Sequence, residues 1–368
     1  MKFALYSTFA AVAAAAHLEP AYLKNGVSYI SELPTTGKVQ FAGVNIAGFD
    51  FGCDINGTCN LASAFDVVSK GNGIAQMSHF TKNSGLNAFR LPVGWQFLLN
   101  NEQTPGGPID ATNLAAYDGL VRGCLDSGSK ACIVDVHNYA RFNGGIIGQG
   151  GPANEVLVNL WTQLATHYAN ESRIVFGVMN EPHDIPNIVT WAQTVQEVVT
   201  AIRKAGAMTQ MIIMPGNNFT SAAAFVENGS GAALMNVTNP DGTIDNLFFD
   251  VHRYLDADNS GTHTECVTNN IDGAFTPLAT FLRMNGRRAF LTETGGGNTA
   301  SCLQFLCEQL AFINKNSDVY LGWIGWAAGG FDQTYELVET PIQGNGTLTD
   351  TSLVKQCVAG QFVSPASG

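Results

Sequence analysis

The sequence predicts one α/β domain folded as a (β/α)8 TIM barrel, and three observations support this fold class. Eight apolar, β-rich runs recur along the chain, separated by stretches with helical periodicity. The runs are continuously hydrophobic rather than alternating, which is typical of parallel strands buried on both faces. They are spread over roughly 330 residues, which suits a closed barrel with some long loops.

The eight predicted strands occupy residues 39–49, 86–95, 131–138, 173–182, 210–216, 246–254, 288–297 and 320–330. Helical periodicity is clearest in residues 154–170, 189–206 and 302–316. In the first of these helices an apolar stripe is formed by Val158, Trp161, Leu164, Ala165 and Tyr168. The alternating order of strands and helices therefore predicts parallel strands joined by crossover helices.

An open, doubly wound sheet is the alternative architecture. That fold expects a Gly-rich fingerprint directly after the first strand. The segment "GVNIAGFDFG", which covers the end of the first predicted strand and the residues that follow it, contains no GxGxxG pattern. The closed barrel is therefore the preferred prediction.

The sequence also predicts the limits of the domain. Residues 1–16 have a lysine, a run of small apolar residues and an Ala-x-Ala end, as in a secretory signal peptide. Residues 17–37 are expected to be an N-terminal arm or propeptide, 38–361 the catalytic barrel, and 362–368 a short tail. We find no linker rich in Pro, Ser or Thr and no second module, so one domain is expected.

Cysteines and glycosylation motifs agree with export. The eight cysteines include no CxxC pair and no zinc-site spacing, which favours disulfides in an oxidising compartment. Cys53–Cys59 and Cys124–Cys132 are predicted as short-range pairs, while the pairing of the other four, Cys266, Cys302, Cys307 and Cys357, is open. Six Asn-x-Ser/Thr motifs occur, at Asn56, Asn170, Asn218, Asn228, Asn236 and Asn345. A secreted, extracellular glycoprotein is expected.

Charge excludes two classes of partner. The chain has 30 acidic and 18 basic residues, a net charge of -12, and no basic cluster. Nothing in it would neutralise the phosphates of nucleic acid or of an anionic membrane surface. No segment after the signal peptide is apolar for long enough to span a bilayer. A monomer without nucleic-acid or membrane partners is expected.

Polar and aromatic residues gather at the carboxyl ends of the predicted strands. In a barrel these ends meet at one mouth, where the active site forms. The residues concerned are Arg90, His137, Asn138, Asn180, Glu181, His252, Tyr254, Glu293 and Trp326. One such residue has an ordinary structural explanation, but packing alone does not explain so many at one end of the strands.

The residue types at the mouth indicate glycoside hydrolysis. Two glutamates from opposed strands can supply a proton donor and a carboxylate, and sugars stack on tryptophan. No Ser or Cys nucleophile and no phosphate-binding loop stands in a suitable setting. The Asp-x-His pairs of "DVHNY" and "DVHRY" could ligate a metal, but Asp135 and Asp250 are interpreted as out of phase with the mouth-facing set. No metal and no organic cofactor is therefore predicted.

Four motifs in order resemble those of glycoside hydrolase family 5: "FRLP", "VMNEPHD", "VHRY" and "LTETGG". Two longer segments, "HNYARFNGGIIGQGG" and "NEPHDIPNIVTWAQTVQ", look closest to fungal members of that family. The resemblance covers nearly the whole chain from about residue 38, and it is strongest to fungal secreted endo-β-1,4-glucanases, the cellulases. Such enzymes often carry a cellulose-binding module and linker. This sequence contains neither, so tight binding to crystalline cellulose is not expected.

The resemblance implies a role for each matching residue. Glu181 would be the general acid/base and Glu293 the nucleophile of a retaining mechanism, with carboxyl groups about 5–5.5 Å apart. Arg90 and Tyr254 would keep Glu293 ionised. Asn180 would bind the sugar 2-hydroxyl. Further substrate-binding residues would be His137, Asn138, His252 and Trp326, the last as the floor of the subsite.

Three more aromatic residues follow strand ends 2, 3 and 4 and are candidates for stacking on neighbouring glucosyl units: Trp95, Phe142 and Trp191. The expected function is an endo-β-1,4-glucanase acting on a β-glucan polysaccharide. A β-mannanase or β-1,3-glucanase on the same barrel is the alternative, because the subsite loops decide the sugar. A non-catalytic polysaccharide-binding barrel or a structural wall protein is disfavoured, since neither needs both glutamates.

Overall fold

A computed structural model describes residues 37–363 of the 368-residue chain. The predicted signal peptide, the predicted arm apart from Gly37, and residues 364–368 lie outside the described residues. None of the helices in the described part combines the length and apolar character needed to cross a bilayer.

The predicted (β/α)8 barrel is confirmed. Eight parallel strands close on themselves in chain order, so that strand 1 pairs with both strand 2 and strand 8. Strands 1 to 8 of the barrel are Phe41–Ala47, Ala88–Val93, Ala131–Val136, Ile174–Gly177, Met211–Pro215, Leu247–His252, Ala289–Thr294 and Tyr320–Gly329. Each lies within one of the eight apolar runs of the sequence.

Helices cover the outside of the barrel and connect its strands. They are α1 (Gly73–Lys82), α2 (Trp95–Leu99), α3 (Ala111–Asp126), α4 (Asn154–Tyr168), α5 (Ile188–Lys204), α6 (Ser230–Leu234), α7 (Thr276–Met284), α8 (Ala300–Lys315) and α9 (Gly360–Val363). The three helices predicted from periodicity correspond to α4, α5 and α8. A 3-10 turn at Leu61–Ser63, π-helical turns at Ile271–Phe275 and Val354–Val358, and two short hairpins complete the described part; the hairpins are Arg141–Phe142 with Gly145–Ile146, and Ile342–Gly344 with Thr347–Thr349.

Two hydrophobic clusters explain why the strands are apolar on both faces. One fills the inside of the barrel and includes Ile133, Val175 and Ile213 from three successive strands. The other lies between the strands and the helices, where Trp161 of α4 and its neighbours are fully buried. A side chain on either face of a strand is therefore removed from water, which favours an unbroken hydrophobic run.

Strand 4 is shorter than the sequence predicts. The predicted run of residues 173–182 forms a ladder only over Ile174–Gly177. Val178 and Met179 stay fully buried, but they belong to the loop that leads to the mouth. Burial therefore continues past the last paired residue of strand 4. The hydrophobic run in the sequence indicates which residues are buried, but it does not show where strand pairing ends.

The predicted boundary between domain and tail falls inside α9. Phe362 is 6% exposed, and its ring lies 6.2 Å from that of Trp323 in barrel strand 8. The Lys38 ammonium group lies 4.5 Å from the centre of the same ring. The packed domain therefore extends through the last described residues and not only to residue 361.

All eight cysteines form disulfides. The two predicted pairs, Cys53–Cys59 and Cys124–Cys132, are confirmed. The pairing that the sequence leaves open is Cys266–Cys302 and Cys307–Cys357. The last of these ties α8 to the segment before α9 across 50 residues of sequence, so it fixes the end of the chain against the barrel.

Removing the Cys307–Cys357 bridge is expected to destabilise the domain more than removing Cys53–Cys59. In the chain-entropy account, closing a 50-residue loop is worth about 4 kcal/mol and closing a 6-residue loop about 2 kcal/mol. The two double Cys→Ser variants should be compared by denaturant unfolding of oxidised protein. An equal loss of unfolding free energy would contradict this order.

Candidate active site

The two glutamates singled out by the sequence face each other at the carboxyl-terminal mouth of the barrel. Glu293 lies in strand 7 and is 4% exposed, while the Glu181 side chain, in the loop after strand 4, is 16% exposed. An oxygen of each carboxyl group and a ring nitrogen of His252 all lie within 4.8 Å of one another. Two carboxyl groups this close can act on the same bond of one substrate.

The Glu293 carboxylate is held on both oxygens. Arg90 Nη1 donates to Oε1 at 2.5 Å, and the Tyr254 hydroxyl donates to Oε2 at 2.6 Å. Burial raises the pKa of Glu293, but the charges of His252, Arg90 and His137 and the Tyr254 hydrogen bond outweigh it. The pKa of Glu293 is therefore below its ordinary value, and the group is ionised under mildly acidic conditions.

Glu181 is held by His252. Glu181 Oε1 lies 2.7 Å from His252 Nδ1, and the same ring nitrogen lies 3.5 Å from Glu293 Oε2. Burial lowers the pKa of His252, but Glu293, the hydrogen bond to Glu181 and Asp250 raise it to about 9. Glu181 has a φ of 40°, a left-handed conformation that is uncommon for a residue other than Gly. The loop after strand 4 therefore holds Glu181 at the mouth in a backbone conformation that differs from that of a β-strand.

Asn180 directly precedes Glu181 in the loop after strand 4 and is 1% exposed. Its Oδ1 accepts a hydrogen bond from Arg90 Nη2 at 2.7 Å, which fixes the orientation of the amide. Its Nδ2 is buried and has no partner within the described residues. A buried donor without a partner costs free energy unless a ligand satisfies it. Asn180 Nδ2 is therefore an unsatisfied hydrogen-bond donor beside the arginine that holds Glu293.

Aromatic side chains border the same mouth. The rings of His137 and Trp326 are nearly parallel, with centres 5.5 Å apart. Trp326 Nε1 donates to the Tyr335 hydroxyl at 2.9 Å, and Tyr335 in turn stacks on Phe331 at 3.9 Å. Trp326 is thus fixed by polar and stacking contacts while part of it stays exposed.

These groups line an elongated cleft. A cavity of about 600 Å³ is bordered by six of the predicted site residues, namely His137, Glu181, His252, Tyr254, Glu293 and Trp326. A second hollow of about 270 Å³ shares His137, Tyr139 and Trp326 with it and continues along Asp50 and Phe51. The cleft therefore extends beyond the two glutamates, as a site for a polymer requires.

Six predicted substrate-binding residues do not border this cleft: Arg90 and Asn180, which are hydrogen-bonded to each other behind Glu293, and four more that are turned into the core. Trp95 and Trp191 are fully buried in the core, and Phe142 is 4% exposed and packs edge-on against Trp95. Asn138 is also fully buried, where its Oδ1 accepts from the Trp95 backbone N–H. The stacking and substrate-binding predictions for these four residues are wrong, because the segments that follow the strands turn them into the core.

Two buried aspartates below the glutamates belong to the site, although the sequence reasoning set them aside. Asp135 Oδ2 lies 3.0 Å from Arg90 Nη2 and 2.9 Å from His137 Nδ1. Asp250 accepts a hydrogen bond from Thr292 Oγ1. The interpretation of these aspartates as out of phase with the histidines is wrong, because residues two apart share one face of a strand. The repeated Asp-x-His spacing was the signal that could have located them.

Other residues contribute to the site that the sequence did not single out. Asn45 of strand 1 accepts from Arg90 Nη1 at 3.0 Å and donates to the Thr292 carbonyl oxygen at 3.1 Å. Tyr139, Phe219 and Tyr335 reach the cavity from loops. Loop side chains carry no periodicity that would indicate their direction, so their place in the site follows only from the fold.

Within residues 37–363, two groups of side chains have the spacing of a metal site. One consists of Glu181, His252 and Glu293 themselves, and the other of Asp256, Asp258 and His263. In the second group the Asp256 carboxylate already accepts hydrogen bonds from its own loop, including the Thr262 and His263 backbone N–H groups. The absence of a metal cofactor stays a prediction.

Comparisons with known proteins agree with this geometry. Endoglucanase EG-II of Hypocrea jecorina is 60% identical over 332 residues, which cover 88% of this chain and 78% of that protein. The crystal structure of Cel5A (EG2) from Hypocrea jecorina has a TM-score of 0.85 and 60% identity, covering 87% of this chain and 98% of that one. XacCel5A in complex with cellopentaose has a TM-score of 0.74 and 28% identity, covering 88% of this chain and 99% of that one.

The match to a protein family covers most of the barrel. The sequence profile of the cellulases, glycosyl hydrolase family 5, matches residues 44–329, from strand 1 to the end of strand 8. This range contains both glutamates and the residues that hold them. The chain therefore belongs to the cellulase family, glycosyl hydrolase family 5, and is a glycoside hydrolase.

Proposed function

We propose that this glycoside hydrolase is a secreted endo-β-1,4-glucanase that cleaves internal bonds of β-glucan chains with net retention. The observation that carries the proposal is the pairing of Glu181 and Glu293, whose nearest oxygens lie within 4.8 Å. Retaining glycosidases place their carboxyl groups about 5–5.5 Å apart, whereas inverting ones leave about 6.5–9.5 Å for a water molecule. The short separation favours direct attack by a carboxylate.

In the first step Glu293 attacks the anomeric carbon of the sugar. The bond from that carbon to the glycosidic oxygen breaks, and the oxygen takes the proton of Glu181 as the leaving chain departs. The Arg90 and Tyr254 hydrogen bonds support this role, because they keep Glu293 ionised and aimed. The product of the step is a glycosyl ester of Glu293.

In the second step water replaces Glu293. The Glu181 carboxylate, now deprotonated, accepts a proton from the water, whose oxygen attacks the anomeric carbon from the face that the leaving chain vacated. The ester bond breaks and Glu293 regains its negative charge. Two inversions at one carbon give a product with the original β configuration.

Neighbouring groups support binding of a glucan chain across the glutamates. Asn180 is the proposed donor to the 2-hydroxyl of the sugar under attack, and its unpartnered Nδ2 supports this role. Trp326 offers an aromatic surface at the point where the two hollows meet. Because the cleft runs from the glutamates past Trp326 into the second hollow, it has room for sugar units beyond the one under attack.

Secretion is proposed on the signal-peptide pattern and the four disulfides. Disulfides persist in oxidising compartments and are rare in the cytosol. The cysteines of residues 37–363 are all paired, which agrees with an oxidising environment. A monomer acting on β-glucan, without metal or organic cofactor, is the simplest form of the proposal.

The test is a comparison of substrates with product stereochemistry. Carboxymethylcellulose, mannan and laminarin should be assayed side by side, and the first product anomers followed by NMR. We expect reducing ends chiefly from carboxymethylcellulose, with the β anomer formed first. Activity confined to mannan or to laminarin would assign the alternative substrates, and an initial α anomer would contradict the retaining mechanism.

Removing the Tyr254 hydroxyl should shift the acid limb of the pH–rate profile. Burial raises the pKa of Glu293, and the Tyr254 hydrogen bond is one of the groups that lower it. Without that bond the pKa of Glu293 rises, and Glu293 must be ionised to attack. In Tyr254→Phe we expect the acid limb of kcat/KM to move up by about one pH unit or less.

Tyr320→Phe is the matched control for this measurement. The Tyr320 hydroxyl is also buried, but it donates to the Phe275 carbonyl oxygen away from the glutamates. An acid limb that stays in place in Tyr254→Phe, or moves equally in both variants, would show that the hydroxyl does not tune Glu293.

A further inference from the structure

One of the six glycosylation motifs lies in the cleft itself. Asn218 begins this motif in the loop after strand 5, and it borders the larger cavity together with Glu181 and Glu293. The asparagines of the other five motifs border neither this cavity nor the second hollow. All six motifs fall within the described residues, so this position sets Asn218 apart from the rest.

The side chain of Asn218 is free to carry a sugar. It is exposed, and its amide group makes no hydrogen bond to any residue that the structure describes. The backbone at Asn218 has a φ of 55°, a left-handed conformation in which Asn is enriched. In another motif, by contrast, Asn228 Nδ2 donates to the Asn217 carbonyl oxygen at 3.2 Å. The Asn218 amide therefore faces the open cleft without a competing partner.

The other two residues of the motif fix the loop to the barrel. The Phe219 backbone N–H donates to the Pro182 carbonyl oxygen at 3.0 Å, in the loop that carries the proposed general acid. Thr220 is fully buried, and its hydroxyl donates to the Asp250 carbonyl oxygen at 2.6 Å. A group attached to Asn218 is therefore held at the wall of the cleft, because the loop is anchored on both of the following residues.

We propose that Asn218 carries an N-linked glycan that occupies part of the larger cavity and restricts the entry of long β-glucan chains. In the modification, Nδ2 bonds to the anomeric carbon of an N-acetylglucosamine unit and loses one proton. The lipid pyrophosphate of the sugar donor leaves with the electrons of its bond to that carbon. The glycan is added in the secretory pathway, before folding buries Thr220. This inference rests on the proposed secretion and on the proposed binding of a glucan chain in the cleft.

A glycan at this position should affect long and short substrates differently. It is bulky, and it takes up part of the roughly 600 Å³ that the cavity offers. An aryl cellobioside needs room only for two sugar rings and its leaving group beside the glutamates, whereas a polymer also extends along the cavity walls. The ratio of kcat/KM for carboxymethylcellulose to kcat/KM for 2,4-dinitrophenyl β-cellobioside therefore measures the restriction.

The test compares Asn218→Gly with the wild type, both secreted by a eukaryotic host that adds N-glycans. Gly adopts the left-handed backbone without strain and adds no charge that would repel carboxymethylcellulose. We expect mass spectrometry to find the glycan on Asn218 in the wild type, and the substrate ratio to be about fivefold higher in Asn218→Gly. An unmodified Asn218 in the secreted wild type, or an unchanged ratio, would overturn the inference.

Asn345→Gly is the matched control. Asn345 also begins a glycosylation motif, is exposed and has a φ of 51°, but it borders neither hollow. We expect its substrate ratio to equal that of the wild type.

Production in a bacterial periplasm separates the glycan from the side chain that carries it. In a host without N-glycosylation the disulfides still form, because this compartment is oxidising. There we expect Asn218→Gly and the wild type to have the same substrate ratio. A fivefold difference that persists in this host would assign the effect to the lost amide group and overturn the inference.

A second measurement keeps the test decisive if Asn218→Gly does not fold. An endoglycosidase that trims each glycan to one N-acetylglucosamine unit should raise the substrate ratio of the folded, secreted wild type. A ratio that stays the same after complete trimming at Asn218 would overturn the proposal. Wild-type protein that stays inside the host cell, or that cleaves no β-glucan, would instead refute the proposed function, so the two failures are distinguishable.

Discussion

Replacing Glu293 by Gln is expected to reduce hydrolysis of carboxymethylcellulose by about 10⁴-fold or more, since losses of this size follow removal of a catalytic nucleophile. The variant removes the charge that attacks the anomeric carbon, and a neutral amide cannot take its place. The fold should be unaffected, because Gln has the shape of Glu and can still accept a hydrogen bond from Arg90 at Oε1. Release of reducing ends measures the loss.

Two controls belong with this variant. Glu308→Gln, on the exposed face of α8, should retain wild-type activity. Thermal unfolding should show that Glu293→Gln is folded. Hydrolysis that persists undiminished in folded Glu293→Gln would end the double-displacement mechanism proposed for this enzyme.

Replacing Glu181 by Ala is expected to give a different defect. General acid catalysis contributes about 10²–10⁴-fold, so cellulose chains, whose leaving group needs a proton, should be cleaved slower by that factor. Formation of the glycosyl ester from 2,4-dinitrophenyl β-cellobioside should persist, because this leaving group needs no proton. Its second step should be slow, since no base activates water.

Added azide tests whether Glu181→Ala lacks the general base of the second step. Azide attacks without base assistance, so we expect it to accelerate turnover of the aryl cellobioside and to give β-cellobiosyl azide. The matched control is Glu293→Gln, in which no glycosyl ester forms and azide should not yield the β product. A β-azide from Glu293→Gln, or none from Glu181→Ala, would contradict the assigned roles.

Different surroundings suit the two glutamates to different tasks. Glu293 receives hydrogen bonds from a guanidinium and a phenol inside the barrel, which favour its charged form. Glu181 is more exposed and faces His252, with which it can exchange a proton. This is the arrangement by which one pocket can keep one carboxyl group ionised and use another as an acid.

The buried aspartates show why strand phase is hard to read from a sequence. Asp135 and Asp250 each stand two residues before a mouth histidine. Such residues share a strand face, yet they lie one layer deeper and contact the catalytic groups from below. The sequence shows that the spacing repeats, but the depth of a layer depends on the tilt of the strands in the closed barrel.

The aromatic residues show a second limit on what can be predicted from the sequence. Trp95, Phe142 and Trp191 follow strand ends, whereas Trp326 lies within strand 8, and of these four only Trp326 borders the cleft. Trp191 Nε1 donates to the Pro215 carbonyl oxygen at 2.9 Å, so its ring is anchored in the core between α5 and strand 5. A loop or helix after a strand can turn a side chain in either direction, and no local pattern distinguishes the two outcomes.

The sequence by itself determined the number and order of the barrel strands, two disulfides, and the positions of Glu181 and Glu293 at strand ends. These features follow from local causes: burial on both faces makes a strand apolar, and a strand end that carries function interrupts the apolar run. Only the tertiary structure decided which groups surround each glutamate, how the remaining cysteines pair, and which aromatic rings reach the cleft. Contacts such as those of Arg90 with Glu293 and of Thr292 with Asp250 join distant parts of the chain. Such contacts depend on barrel closure and loop direction, which no short stretch of sequence encodes.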